Sequence, residues 1–213
     1  MTRAIAIAMT LFSVACGSAP MKQSAHYLAL GDSYTIGESV AVEERWPVQL
    51  AKTLHIGEPE IIAKTGWTTD ELNAAIDKAN PQGPYELVTL LIGVNNQYRG
   101  RSAAQYRDEF RALLQRAVSF AGENAAHVIV VSIPDWGVTP FAKGRDRATI
   151  AREIDEFNAI NREEAVKAGA HYADITPISR RAAQDPTLVA PDGLHPSAKM
   201  YSEWIPVIRQ QVR

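Results

Sequence analysis

The sequence predicts an α/β protein, a three-layer α/β/α sandwich with a five-stranded, mostly parallel sheet. Two observations lead to this prediction. Five short apolar segments alternate with longer segments in which apolar residues recur at helical spacing. The third of these segments, Glu86–Ile92, is almost continuously apolar, as is typical of a central strand with helices on both of its faces.

The predicted strands are short, and each is followed by a turn-forming or polar residue. They are His26–Asp32, Glu60–Lys64, Glu86–Ile92, His127–Ile133 and Ala170–Ile175. The predicted helices each carry one apolar stripe and are Arg45–Leu54, Thr69–Lys78, Ser102–Ala121, Arg147–Lys167 and Pro196–Gln211. We expect Pro47 and Pro196 in first helical turns, where an N–H group has no intrahelical partner, and Pro206 to kink the last helix.

Length and charge narrow the class of protein. The chain has 213 residues, enough for one domain with a full core, and no internal linker suggests a second one. Its 22 basic and 24 acidic residues give a net charge of −2 without a basic stripe, so we expect no nucleic-acid partner. Because no phosphate-binding glycine motif, HExxH motif or Cys/His cluster occurs, we predict no cofactor and no metal.

The first twenty residues have the composition of an export signal. Arg3 precedes an apolar run that is too short to span a bilayer, and small residues follow it. We predict that residues 1–20 are a signal peptide and tether, and that residues 21–213 form the folded domain. Cys16, the single cysteine, resembles the modified cysteine of bacterial lipoproteins, although Ser13 stands where leucine is usual. The expected location is the periplasm or cell envelope, with the membrane reached only through lipid on Cys16; the alternative is a freely exported protein.

Residues that could take part in a reaction lie just after predicted strands or just before the last predicted helix. Ser33 follows the first strand, Gly66 the second and Asn95 the third, while Asp192 and His195 precede the last helix. Because parallel strands end at one edge of a sheet, we expect these loops to converge there. They would bring together a hydroxyl, an imidazole and N–H donors.

The four sequence blocks that contain these residues resemble those of the SGNH, or GDSL-type, hydrolases, a family of serine esterases and lipases with a flavodoxin-like three-layer fold. The resemblance covers the chain from about His26 to the C-terminus, and no single block is specific. It implies that Ser33 is the nucleophile, His195 the general base and Asp192 the acid that orients it. It also implies an oxyanion hole made by the backbone N–H groups of Ser33 and Gly66 and the side chain of Asn95. The blocks are Gly31-Asp-Ser33, Gly66, Gly93-Val-Asn95 and Asp192-Gly-Leu-His195.

Physical chemistry supports the same roles. A serine hydroxyl becomes a good nucleophile when a base removes its proton, and histidine suits that task near neutral pH. A tight turn through Gly193 would bring the carboxylate of Asp192 back to the imidazole of His195. The alternatives are that Asp174 is the acid, that Asp192 only caps a turn, or that His195 is a surface residue.

Two neighbours of the expected site need separate interpretation. Asp32 is expected to be structural, because its carboxylate can accept local backbone N–H groups. Asn96 stands where the family often has aspartate, which removes a charge and any hydrogen bond that this aspartate would make. The alternative for Asn95 is that its side chain only forms hydrogen bonds with polar groups of a loop.

Apolar residues in two of these loops suggest an acyl pocket. Its expected lining is Tyr34, Ile36, Trp136, Val138 and Phe141, although the aromatic rings would equally serve to pack the loop onto the core. The leading prediction is a metal-independent serine esterase for carboxylic esters of short to medium acyl chains, with thioesters or lysophospholipids as further substrates. An O-acetyl-carbohydrate esterase or acyltransferase on envelope glycans is the alternative within enzymes. An inactive, surface-anchored binding module is the alternative outside them.

Overall fold

The computed structural model describes residues 26–212, and all the strands that it contains belong to one sheet. The strands are β1 (Tyr27–Gly31), β2 (Glu60–Ala63), β3 (Leu87–Leu91), β4 (Val128–Val131) and β5 (His171–Ala173). Every neighbouring pair in this sheet is parallel, and the strand order is β2-β1-β3-β4-β5. The predicted five-stranded sandwich is therefore confirmed.

Eight α-helices occur in this part of the chain, and the five predicted ones are among them. The helices are α1 (Ser33–Ile36), α2 (Trp46–Leu54), α3 (Thr69–Ala79), α4 (Val94–Tyr98), α5 (Ala103–Phe120), α6 (Arg147–Ala168), α7 (Thr176–Arg180) and α8 (Ala198–Arg209). Three short helices, α1, α4 and α7, were not predicted, because four or five residues are too few to show a helical period.

The helices cover both faces of the sheet. Helices α2 and α8 pack against each other on one face, while α5 packs against α3 and α6 on the other. This division follows from right-handed crossovers, since the chain moves from β1 to β2 in one direction and from β3 to β5 in the other. Strands β1, β3 and β4 are completely buried between the two layers. No described helix is both long enough and apolar enough to cross a membrane.

The order in which successive strands are added to the sheet reverses beside β1, whose two neighbours are β2 and β3. Open α/β sheets bind ligands at such a switch point, beyond the carboxyl ends of the strands. Gly31 of β1 is paired with Leu91 of β3, so Ser33 and Asn95 follow from adjacent strand ends. The topology thus brings two of the predicted site residues to the same crevice.

The start of α8 differs from the prediction. Pro196 is not in its first turn as expected: α8 begins at Ala198, and Ser197 caps it by accepting a hydrogen bond from the backbone N–H of Met200 at 3.3 Å. Pro196 lies outside the helix because it forms a bridge with Val189. Pro206 lies inside α8, and the kink expected there stays a prediction. Cys16 and the predicted signal peptide lie outside the described residues.

Candidate active site

The turn between β1 and α1 is tightly built. A Cβ atom on Gly31 would lie 2.2 Å from Oγ1 of Thr35 and 2.4 Å from the carbonyl oxygen of Leu91, so only glycine fits there. The next residue, Asp32, caps α1 by accepting the backbone N–H of Tyr34 at 3.0 Å. Ser33 is then the first residue of α1 and is 5% exposed, at the carboxyl end of the sheet.

Asp32 is fully buried, and its environment is unusual for a carboxyl group. Burial raises the pKa of this carboxyl to about 7, although the hydrogen bond from the N–H of Tyr34 acts in the opposite direction. Within the described residues Oδ2 of Asp32 has no hydrogen-bond partner. These contacts agree with a structural role for Asp32 beside Ser33.

Asp192 and His195 form one compact turn. Oδ2 of Asp192 lies 2.5 Å from Nδ1 of His195, and Oδ1 accepts the backbone N–H groups of Leu194 at 2.9 Å and His195 at 3.0 Å. Gly193 between them has φ 74°, a conformation that L side chains rarely adopt. The predicted contact through a tight turn is therefore present.

The charge on Asp192 is strongly favoured. Burial alone would raise the pKa of its carboxyl, but hydrogen bonds from His195, Ser39 and two backbone N–H groups outweigh it, and the pKa falls well below the ordinary value. The hydroxyl of Ser39 contributes at 2.7 Å. An ionised carboxylate at Nδ1 fixes the tautomer of His195 that leaves Nε2 able to accept a proton.

Backbone hydrogen bonds hold this turn in place. The N–H of Ala190 donates to the carbonyl of His195 at 2.7 Å, and the N–H of Phe141 donates to the carbonyl of Gly193 at 2.9 Å. The ring of Tyr34 meets the imidazole edge-on, with centroids 5.7 Å apart. His195 is 7% exposed, so its ring has little freedom to turn away.

Asn95 projects from the first turn of α4. Its Nδ2 donates to the carbonyl of Trp67 at 2.9 Å, which engages one of its two amide hydrogens. The guanidinium of Arg99 donates to the carbonyl of Gly66 at 2.7 Å. These two bonds tie the loop around Gly66 to α4 and to the residue that follows it.

A cavity of about 150 Å³ opens beside these residues. It brings Ser33, His195 and Asn95 together with the predicted apolar residues Tyr34, Trp136 and Phe141. Within residues 26–212 the side chains of Ser33 and His195 line this common space without a hydrogen bond between them. The full lining is Ser33, Tyr34, Val94, Asn95, Tyr98, Trp136, Phe141, Leu194 and His195.

Three expected residues do not line the cavity. Ile36 lies at the end of α1, Val138 packs against the core, and Gly66 lies in the loop fastened by Arg99. Val94, Tyr98 and Leu194 are the lining residues that sequence reasoning missed. They flank Asn95 and His195 in the chain, so proximity to those motifs was the available signal.

Asp174 lies elsewhere. It accepts hydrogen bonds from Ser132 at 3.2 Å and from the backbone N–H of Thr176 at 3.3 Å, and it pairs with Arg162 at 3.3 Å. It is Asp192 that contacts His195. In the described part of the chain, no group of three or more His, Cys, Asp or Glu residues is arranged to hold a metal ion.

Asn96 is fully buried behind the cavity and joins three helices. Its Oδ1 accepts the backbone N–H of Thr69 at 3.1 Å, and its Nδ2 donates to Oγ1 of Thr69 at 2.6 Å and to Glu109 at 3.3 Å. The carboxylate that the family often has at this position is thus replaced by an amide, and Glu109 from α5 supplies a carboxylate beside it.

Solved structures with this architecture include several esterases. TesA is 18% identical and covers 88% of this chain and 98% of its own, with a TM-score of 0.67. EstA from Pseudoalteromonas sp. is 17% identical, covering 88% of this chain and 96% of its own with a TM-score of 0.63. Axe2, an acetylxylan esterase from Geobacillus stearothermophilus, is 16% identical, covering 90% and 96% with a TM-score of 0.66. At these identities the likeness shows the fold.

A comparison with curated protein sequences gave no match. The sequence profile of the GDSL-like lipase/acylhydrolase family, by contrast, matches residues 29–202. This range spans β1 to α8 and includes all five residues of the predicted site. The chain therefore belongs to the GDSL-like lipase/acylhydrolase family of ester-hydrolysing enzymes.

Proposed function

We propose that this protein is a serine esterase that hydrolyses carboxylic esters through an acyl-enzyme on Ser33. The single observation that carries the proposal is the 2.5 Å contact between Asp192 and Nδ1 of His195, in a cavity that Ser33 and Asn95 also line. A base oriented by a carboxylate, next to a hydroxyl and an amide donor, is the arrangement that acyl transfer requires.

In the first half-reaction Oγ of Ser33 attacks the ester carbonyl carbon while Nε2 of His195 takes the hydroxyl proton. The carbonyl oxygen becomes an oxyanion, to which Asn95 donates the amide hydrogen that Trp67 does not use. The backbone N–H groups of Ser33 and Gly66 are its proposed further donors. When the carbon–oxygen bond to the alcohol breaks, His195 returns the proton to the departing oxygen.

In the second half-reaction a water molecule replaces the alcohol. Nε2 of His195 takes a proton from the water as its oxygen attacks the acyl carbon, and the same oxyanion forms again. Collapse releases the carboxylic acid and restores the hydroxyl of Ser33. Throughout, the ionised Asp192 stabilises the imidazolium of His195.

The cavity favours a small acyl group. Its volume of about 150 Å³ lies below the range of roughly 300–1,000 Å³ typical of drug-sized ligands. We therefore expect p-nitrophenyl esters of short to medium chains to be hydrolysed fastest. Measured kcat/KM values across a series of acyl lengths test this expectation, and a maximum at long chains would contradict it.

Covalent labelling tests the nucleophile and separates an esterase from an inactive binding module. EstA is described as inhibited by monoethylphosphonate. We expect a fluorophosphonate probe to label the wild type and not Ser33→Ala, with ester hydrolysis lost in that variant. The matched control is Ser39→Ala, whose hydroxyl touches Asp192 from outside the cavity and which should still be labelled. Equal labelling of Ser33→Ala and the wild type would refute the proposal.

A second candidate is an O-acetyl-carbohydrate esterase or acyltransferase. The rim of the cavity favours it, since Tyr98 and Phe141 are 46% and 42% exposed and could stack on a sugar ring. Axe2 is described as an acetylxylan esterase, and it has the same fold. Release of acetate from acetylated xylo-oligosaccharides, compared with p-nitrophenyl acetate, distinguishes this candidate from a general esterase.

Export of the protein is a separate proposal that depends on the N-terminal sequence. We propose that residues 1–20 act as a signal peptide and tether, with Cys16 as the lipid-modified residue. Mass spectrometry of the protein from its native membrane fraction tests this. A mass increase corresponding to acylation on Cys16 is expected, and an intact N-terminus without lipid would overturn the proposal.

A further inference from the structure

We infer that the substrate carries an anionic group on its alcohol portion, and that Arg145 binds this group in a groove next to the catalytic cavity. This inference rests on the proposed esterase function and adds a substrate class to it. It depends on three features of the structure: the position of Arg145 on an aromatic wall, its lack of a carboxylate partner, and a groove that continues from the cavity.

The aromatic wall consists of Tyr98, Trp136 and Phe141, all of which line the cavity that contains Ser33. Their ring centroids lie 5.5 to 6.2 Å apart. Arg145 covers all three rings, with its guanidinium carbon 5.1, 5.5 and 5.7 Å from the centroids of Tyr98, Trp136 and Phe141. The wall therefore holds the guanidinium group at the edge of the catalytic cavity.

Arg145 has no carboxylate partner within residues 26–212. Its side chain donates one hydrogen bond, to the hydroxyl of Tyr98 at 3.0 Å, and it is exposed to solvent. A guanidinium group has five N–H donors, so at least two remain available as a fork for a carboxylate or phosphate. An exposed cation that is held by rings and not by an acid is suited to bind an anion from solution.

A groove of about 440 Å³ begins where the cavity ends. The two share Tyr98 and Trp136, and Arg145 lies in the groove. The groove also contains two carboxylates, and neither pairs with Arg145: Asp146 accepts the backbone N–H of Thr149 and its hydroxyl. Glu153 accepts Nε2 of Gln97 at 2.7 Å.

The surrounding segment is basic in a chain that is acidic overall. Positions 143 to 147 contain Lys143, Arg145 and Arg147 against the single acid Asp146, whereas the whole chain has a net charge of −2. Lys143 and Arg147 also form no ion pair in the described part of the chain. An ester bound at Ser33 with its alcohol portion over the aromatic wall would present an anionic group to this segment.

Matched synthetic esters test the inference. We compare kcat/KM for the acetate esters of 4-hydroxybenzoate and of its neutral methyl ester, at low and high salt. We expect the ratio of the anionic to the neutral substrate to fall about tenfold in Arg145→Gln, because the variant loses charge-assisted hydrogen bonds to the anionic group. In the wild type the same ratio should fall with added salt. Arg145→Lys should retain part of the preference, because it keeps the charge and loses the fork.

Arg152→Gln is the matched control, because Arg152, on α6, is an exposed cation that lines neither the cavity nor the groove and forms no ion pair in the described residues. We expect it to leave the ratio unchanged. An equal loss on both substrates in Arg145→Gln would show that Arg145 only supports the rings, and the inference would be overturned. Absence of all ester hydrolysis would instead refute the proposed function itself.

Two natural sources of such an anion are distinguished by further arms of the experiment. A lysophospholipid with an anionic headgroup is compared with a neutral monoacylglycerol, and acetylated acidic oligosaccharides are compared with acetylated neutral ones. A preference for the anionic member that depends on Arg145 in either pair supports the inference and identifies the source. Preference for the neutral member in both pairs would contradict it.

Discussion

Asn95 has one side chain with two hydrogen-bonding tasks. One amide hydrogen is held by the carbonyl of Trp67, and the other is available to the oxyanion of the proposed reaction. We expect Asn95→Ala to lower kcat by about 10²–10³-fold with little change in KM, because the donor acts mainly on the transition state. Steady-state kinetics with a short-chain ester measures this effect.

The thermal midpoint of Asn95→Ala provides the control. Loss of the bond to Trp67 should lower the free energy of unfolding by only about 1 kcal/mol. A variant that is fully folded at the assay temperature and keeps wild-type kcat would show that Asn95 only forms the loop hydrogen bond to Trp67.

The buried carboxyl group of Asp32 should make the stability of the protein depend on pH. Its pKa is raised to about 7 in the folded protein, so the folded state keeps a proton that the unfolded state releases near pH 4. The folded state therefore binds more protons between these values, and its stability falls as pH rises from about 4 to 7. This effect amounts to at most about 4 kcal/mol.

Asp32→Asn removes this titration. We expect its free energy of unfolding, measured by urea denaturation at several pH values, to decline less between pH 4 and 7 than that of the wild type. Parallel curves for the two proteins would contradict a raised pKa at Asp32.

At the scale of the elements, the side chain of Asn96 holds α4 in place, because its hydrogen bonds connect this helix to α3 and α5. An aspartate there would keep the acceptor for the N–H of Thr69 but lose both donor bonds, and it would face the carboxylate of Glu109. The start of α3 favours a negative charge by about 0.3–1 kcal/mol, whereas each lost or repulsive buried contact costs about 1–3 kcal/mol.

We therefore expect Asn96→Asp to destabilise the protein by about 2 kcal/mol at pH 7, as measured by urea denaturation. The double variant Asn96→Asp with Glu109→Gln should recover part of the loss, since it removes the second carboxylate. An additive effect of the two substitutions would mean that the two side chains do not interact.

The long elements could be predicted from sequence and the short ones could not. Strand β3 is visible as an apolar run and α5 as a stripe of spaced apolar residues, because burial imposes a pattern on each. Helix α4 has only five residues, and its position depends on tertiary contacts such as that of Asn96. Similarly, Pro196 is a permissible first helical residue, but its pairing with Val189 moved the start of α8 to Ala198.

The candidate site follows the same division. Asp192 and His195 are close in the chain, so their contact could be derived from a three-residue turn. The lining of the cavity depends on which side of a loop faces inward, and spacing does not encode this. Val138 and Tyr98 show the difference: the expected Val138 packs on the core, whereas Tyr98 at the end of α4 lines the cavity.

At the scale of the whole molecule, ion pairs between α5 and α6 stabilise the folded state at neutral pH and lose this contribution in acid. Glu164 of α6 is buried and pairs with Arg107 at 2.6 Å and Arg111 at 2.9 Å, both on α5. The hydrogen bond from Arg111 is the largest influence on its carboxyl, and the pKa is lowered to about 2 in spite of burial. This stabilisation is present above the ordinary pKa of glutamate and is lost as pH falls towards 2.

We expect Glu164→Gln to lower the free energy of unfolding by about 1–3 kcal/mol at pH 7, with a difference that shrinks below pH 3. Its neighbour Glu163 also pairs with Arg107, at 2.8 Å, but its side chain is 55% exposed. Glu163→Gln should therefore cost less than about 1 kcal/mol. Urea titrations at pH 7 and at pH 2.5 compare the two, and equal losses would contradict the assigned importance of Glu164.

The hydrogen bond from the N–H of Phe141 to the carbonyl of Gly193 joins the aromatic wall to the turn that carries His195. We therefore expect the amide of Phe141 to respond when the site at Ser33 is occupied. Deuterium uptake at the amide of Phe141 should slow once Ser33 is phosphonylated, while uptake at the far ends of α5 stays the same. Exchange of this one backbone amide would then report whether Ser33 carries a covalently bound group.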